Sequence, residues 1–155
     1  MQKIVVATAL DCEGCIGIVK SRPIGRKTPA YVIRVSLAMT KSYYPELLYE
    51  LYGGKVRVRK SRNPNWKDQY TWDISSRLAV RLLQEIQPYL NIKGPQAEVC
   101  LALDTHRVKV GRAWDMEQPL GQEILRQYEE FYQESRRLNA RGKNQTGDDS
   151  LSSYN

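Results

Sequence analysis

Four short stretches within the first 75 residues alternate apolar and polar side chains with a period of two, and helical spacing fills the gaps around them. The clearest is "AYVIRVSLAMT". There Tyr31, Ile33, Val35, Leu37 and Met39 share one face and Arg34, Ser36, Ala38 and Thr40 the other, the signature of a half-buried strand. "CIGIVKSR" likewise turns Ile16 and Ile18 toward a core and leaves Gly17, Val19 and Ser21 opposite. "KVRVRKSR" sets Val56 and Val58 against Lys55, Arg57 and Arg59, and "DQYTWDI" sets Tyr70, Trp72 and Ile74 against Gln69, Thr71 and Asp73. The breaker-rich "GRKTP" joins the first two strands, and "KSRNPNWK" joins the last two as a long hairpin.

Between and after them lie helices. "KIVVATALDCEG" reads as a buried helix stopped by Gly14, and "SYYPELLYELYGG" carries Ser42 as a cap, Pro45 in the first turn and Leu47, Leu48 and Leu51 as its apolar stripe. Ser75 or Ser76 caps "RLAVRLLQEIQPYL", where Leu78, Leu82, Ile86 and Leu90 recur at helical spacing. A short helix follows over Pro95 to Leu103, and a long one over Leu120 to Arg141 with Ile124, Tyr128, Phe131, Ser135 and Leu138 along one side. From Gly142 the composition predicts a frayed tail. The order α-β-β-α-β-β-α-α-α predicts an α+β fold over residues 1–141. Its four-stranded antiparallel sheet is covered by helices on one face, with extra helices at the C-terminus.

A chain of 155 residues suits one such domain, which can bury a core without staples. No apolar run is long enough to span a bilayer and the N-terminus lacks a signal peptide, so an intracellular protein without a membrane partner is expected. Charge is regional: Lys20 to Lys67 holds twelve Lys and Arg against two acids, in a chain whose net charge is +7. Such a block is the footprint of a polyanion, usually nucleic acid. The uncovered sheet face would carry Gly17, Val19, Ser21, Arg34, Ser36, Lys55, Arg57, Arg59, Gln69, Thr71 and Asp73. Arg forks onto guanine, Gln onto adenine, an acid accepts from cytosine, and a β-ribbon fits the major groove. An ordinary solvated face tolerates the same mixture. The row Lys55, Arg57, Arg59 favours the anion, because like charges at i, i+2 repel without one.

"ALDCEGCIGI" raises a separate question, since it places Asp11 and Glu13 at the negative end of a helix, where carboxylates are disfavoured. Either they point into water, or a divalent cation takes oxygen ligands there. The Cys12-x-x-Cys15 pair is poorly suited to zinc or redox work. Only Cys100 and His106 remain as further ligands, and a helix C-terminus does not stabilise thiolate. His106, the single histidine, reads as a surface residue beyond the fold core.

"VATALDCEG", Val6 to Gly14, with "CIGI" after it, resembles the motif of the LAGLIDADG homing endonucleases, though Thr8 and Ala9 replace its usual Gly and Leu. The likeness continues through "AMTKSYYPELLYELYGGKVRVRK", "NPNWKDQYTWDISS" and "LLQEIQPYLNIKGPQAE", and so covers about Ile4 to Leu103. The resemblance implies an αββαββα saddle straddling double-stranded DNA. One copy of the motif implies a homodimer and a roughly palindromic target, with Val5, Thr8 and Cys12 as the seam between first helices. It further implies Glu13 as catalytic carboxylate and ligand of Mg²⁺ or another divalent cation, commonly Asp in the family. The Cys12 backbone carbonyl would be a second ligand, Asp11 a mainly structural acid, and Lys93 a second catalytic residue near the scissile phosphate. The expected activity is a staggered double-strand cut at a long site. An intron-splicing maturase binding structured RNA, or a non-cutting DNA-binding regulator, would share this fold.

Overall fold

In the computed structural model, residues 2–25, 27–111 and 113–140 are described. The elements are α1 (Gln2–Glu13), β1 (Gly14–Ser21), β2 (Ala30–Met39), α2 (Tyr43–Tyr52), β3 (Lys55–Arg59), β4 (Gln69–Ser75), α3 (Ser76–Ile86), α4 (Gly94–Val110) and α5 (Pro119–Asn139). A 3-10 turn, Gln87–Tyr89, links α3 to α4. The expected tail from residue 142 lies outside the described residues.

The strands form one antiparallel sheet in the order β1-β2-β4-β3. Its inner face is the predicted one. Ile16, Ile18, Tyr31, Ile33, Val35, Leu37, Trp72 and Ile74 are all buried, against Val6, Ala7 and Leu10 of α1, Leu48 of α2, and the apolar faces of α3 and α4. α1 runs into β1 without a loop. A Cβ at Gly14 would meet the Leu10 carbonyl oxygen at 2.6 Å, so the expected helix stop is instead the first strand residue, needed for close approach.

Four local expectations need correction. Val58 is 52 % exposed rather than inward: β3 is a five-residue edge strand none of whose residues is fully buried. In α3 the buried stripe is Ala79, Val80, Leu82, Leu83 and Ile86, which turns Leu78 out beside Leu51. α4 runs on to Val110, well past Leu103, because side chains of its polar second half find aromatic partners on α5. Arg107 there donates to the Tyr31 carbonyl and stacks 5.5 Å from the Tyr128 ring centroid. His106 is therefore not a free surface residue. Its ring lies half-buried, 5.7 Å from Tyr128 and 5.8 Å from Phe131.

α5 does not simply add to the covered face. Its C-terminal turns run along the outer edge of β1, where the buried Ser135 hydroxyl accepts the Ile18 N–H at 2.9 Å and Asn139 donates to the Ile16 carbonyl at 2.9 Å. An edge strand's unpaired backbone groups are thereby satisfied within the protomer.

Candidate nucleic-acid interface and acidic helix end

The register assembles the open face as the alternation predicts. Cys15, Ser36, Asp73 and Lys55 stand in one row across the sheet, Gly17, Arg34 and Ser75 in the next, and Ala38, Thr71 and Arg57 in another, with Gln69 opposite Arg59. Lys55, Arg57, Arg59, Gln69, Val19 and Ser21 are exposed, and Arg34, Ser36 and Thr71 half-buried. At Gly17 a Cβ would meet Asn139 Nδ2 at 3.0 Å and Ser135 Oγ at 3.1 Å, so this half-buried position also carries the contact with α5.

The charges are less free than the sequence suggests. Asp73 Oδ1 lies 3.3 Å from Arg34 Nη2 and 3.1 Å from Arg57 Nη2, so Arg57 has a counter-charge, while among the described residues Lys55 and Arg59 form no ion pair. Lys20 leaves the basic block altogether. Its ammonium lies against Glu129 at 2.6 Å, and the same carboxylate oxygen accepts the Tyr31 hydroxyl at 2.6 Å. Those two hydrogen bonds hold Glu129 down at about 2. Lys27 is paired with Glu117 at 3.5 Å. A basic residue invisible to strand periodicity joins the face instead: Arg136 of α5 lines a notch of about 320 Å³ with Cys15, Gly17, Val19, Arg34 and Ser36.

At the other feature, the end of α1, the two carboxylates separate. Asp11 is 6 % exposed and accepts backbone N–H bonds from Asn91 at 2.7 Å, Ile92 at 3.2 Å and Lys93 at 2.8 Å. Burial pushes its pKa up, but the three N–H bonds and the Lys93 charge together outweigh this and hold it below its ordinary value. Those amides lead into α4, so an acid at the wrong end of its own helix stands at the favourable end of another. The Lys93 ammonium donates to the carbonyls of Leu10, at 2.8 Å, and Asp11, thereby capping α1. Glu13 and Cys12 remain exposed at the junction where the basic sheet begins.

Among the described residues no group of three or more His, Cys, Asp or Glu could hold a metal ion within one protomer. The donor set at Glu13 does fit a hard cation that retains most of its water: one exposed carboxylate and, with the Leu10 and Asp11 carbonyls taken by Lys93, the carbonyl of Cys12, all oxygen. Cys100 is buried, which pushes its thiol up to about 12, and no zinc set assembles around it. Along α1, Val5, Thr8 and Cys12 all face outward. The Thr8 hydroxyl is satisfied by the Ile4 carbonyl at 2.9 Å. No helix among the described residues is long and apolar enough to cross a membrane.

No protein-family model and no curated protein sequence matches the chain. Solved structures do. The homing endonuclease I-CvuI, in complex with its target in the presence of Ca, superimposes with a TM-score of 0.69 at 18 % identity, over 94 % of this chain and 85 % of that one. The archaeal intron-encoded homing endonuclease I-Vdi141I, complexed with DNA, gives 0.67 at 13 % identity, over 94 % and 89 %. The homing endonuclease I-TnaI gives 0.60 at 18 % identity, over 90 % and 94 %. Matched over 90–94 % of its length, with a four-stranded antiparallel sheet and helices at the C-terminus, this chain has the fold of the LAGLIDADG homing endonucleases.

Proposed function

We propose that the chain is a homodimeric, divalent-metal-dependent DNA endonuclease that makes a staggered double-strand cut at a long, roughly palindromic site. The observation that carries this reading is the placement of the exposed Glu13 carboxylate where the basic open face begins. Val19, Ser21, Arg34, Ser36, Lys55, Arg57, Arg59, Gln69 and Thr71 would lie along the DNA. Val5, Thr8 and Cys12 would meet their counterparts in a second copy and bring two Glu13 carboxylates together across the two-fold axis.

Glu13 and the Cys12 carbonyl would hold Mg²⁺ or another divalent cation, which when bound supplies Lewis-acid activation of water and of the phosphodiester. The chain's own residues do the positioning. Asp11, gripped by the amides of 91–93, fixes the end of α1, so that Glu13 is presented at one place over the sheet. Lys93 keeps a positive charge beside that helix end, where it offsets the charge of an approaching phosphate. Its engagement with two α1 carbonyls favours one alternative: a DNA-binding regulator in which Lys93 has only a structural task.

The test incubates the protein and Glu13→Gln with a library of DNA sites in Mg²⁺ and scores cutting and binding separately. Staggered cutting by the parent, lost in the variant while binding survives, is expected. Specific binding without cutting by either chain would establish the regulator, and tight intron-RNA binding unaffected by Glu13→Gln the maturase.

A further inference from the structure

Asp73 faces the surface assigned to DNA, but it is not placed as a reader of bases. It lies on β4, between β2 and β3, and the residues opposite it in register are Ser36 and Lys55. Its carboxylate passes over both and takes diagonal partners. Arg34, opposite Ser75, comes from one side and Arg57, opposite Thr71, from the other. One oxygen, Oδ1, lies within ion-pair distance of both, at 3.3 and 3.1 Å; it is sealed from solvent and accepts a hydrogen bond from neither, so the attraction is one of charge. The Asp73 side chain is 13 % exposed, against 43 % for Arg34 and 61 % for Arg57. A cytosine amino group has no path to Oδ1, and the 13 % exposure of the side chain leaves only Oδ2 at the surface, recessed beside two more exposed guanidinium groups.

We propose that Asp73 is a positioning residue for sequence discrimination: it holds Arg34 and Arg57 in a fixed diagonal across three strands and touches no base itself. The proposal rests on the DNA-binding reading of this face. An untethered arginine on such a surface swings to whichever phosphate is near, which adds affinity for every sequence alike. One drawn by charge against a carboxylate is confined to one place on the sheet with its N–H fork still free, the geometry that separates guanine from other bases. The carboxylate also lowers the local charge of the pair from two to one, which weakens binding to random DNA. Both effects raise the ratio of specific to non-specific binding, the quantity on which selectivity depends.

The variant is Asp73→Asn, which keeps the shape and removes the charge. Two readouts are taken. In the free protein, order parameters of the Arg34 and Arg57 Nε–Hε groups are expected to be high in the parent and to fall for both in the variant. On DNA, with a site selected from the library and a random duplex, the variant is expected to lose about tenfold or more in the specific-to-random ratio. Its binding to random DNA should tighten, with a log–log salt slope steeper by about 0.9 for each further phosphate neutralised. Mobile arginines in the parent, or an unchanged ratio in the variant, would overturn the positioning role. So would a loss confined to one base pair with both arginines still ordered, which marks a direct reader. A parent that prefers no DNA sequence would overturn the function reading and the discrimination role together, and the parent's own binding data distinguish that outcome from the others.

Discussion

Asp11 and Glu13 are two residues apart, carry the same charge and sit on the same helical turn, yet the fold treats them oppositely. Asp11 is buried against three amides and its pKa is lowered, whereas Glu13 is left in the open. A carboxylate bound more tightly when ionised stabilises the fold above its unfolded pKa, and that stability is lost as the pH falls through the folded value. For Asp11 the contribution is therefore complete at neutral pH and fades as the pH drops through 3.8 and below. We expect Asp11→Asn to lower the unfolding free energy in urea by about 1–3 kcal/mol at pH 7. The gap from the parent should close as the pH falls below about 4. A gap that persists at pH 3 would mean that shape, not charge, is what the amides require. The sequence marks both acids as misplaced but cannot separate them, because the group that settles Asp11 lies 80 residues further on.

At the scale of elements, the contact that most shapes the open face is the one between α5 and β1. Ser135 falls on the apolar stripe that the periodicity of α5 predicts, yet it is there to accept a hydrogen bond rather than to fill a core. Ser135→Ala removes the only acceptor described for the Ile18 N–H, leaving a buried donor unsatisfied at a cost of about 1–2 kcal/mol. Exchange of the Ile18 amide measured by NMR should accelerate about tenfold, while amides of the β2–β4 pairing stay protected. Equal acceleration throughout the sheet would show that α5 supports the whole domain and not one edge. β1, β2 and β4 were legible because each buries one face only, so a period of two is written into the residues, whereas edge strand β3 keeps the alternation but leaves Val58 exposed. The second half of α4 was not, since "DTHRVKV" has no apolar stripe and becomes helical only when Arg107 and His106 find aromatic partners on α5. Gly17 was only partly legible for a related reason: alternation assigns it to the open face, but only the tertiary approach of α5 shows why a side chain has little room there.

Considered whole, the protomer is half of the proposed machine: one Glu13, one basic face, and one helix with an unpartnered outward stripe. Val5 is 39 % exposed and lies outside the protomer's core, so a charge placed there should leave the fold intact while opposing the pairing of two α1 helices. Val5→Glu is therefore expected to keep its melting temperature within a few degrees of the parent's, since a surface change of this kind alters stability by about 0.5 kcal/mol or less. It should sediment as a monomer at concentrations where the parent is a dimer. Cutting should fall by two orders of magnitude or about that, because each strand break needs geometry that one protomer lacks. Binding should survive in weakened form on a single half-site, with a salt slope about half that of the parent, since one basic face instead of two displaces counterions. The two readouts discriminate between causes. A monomer that still cuts would refute the two-fold arrangement of Glu13, and a dimer that no longer cuts would place Val5 in the service of Glu13 rather than of the seam.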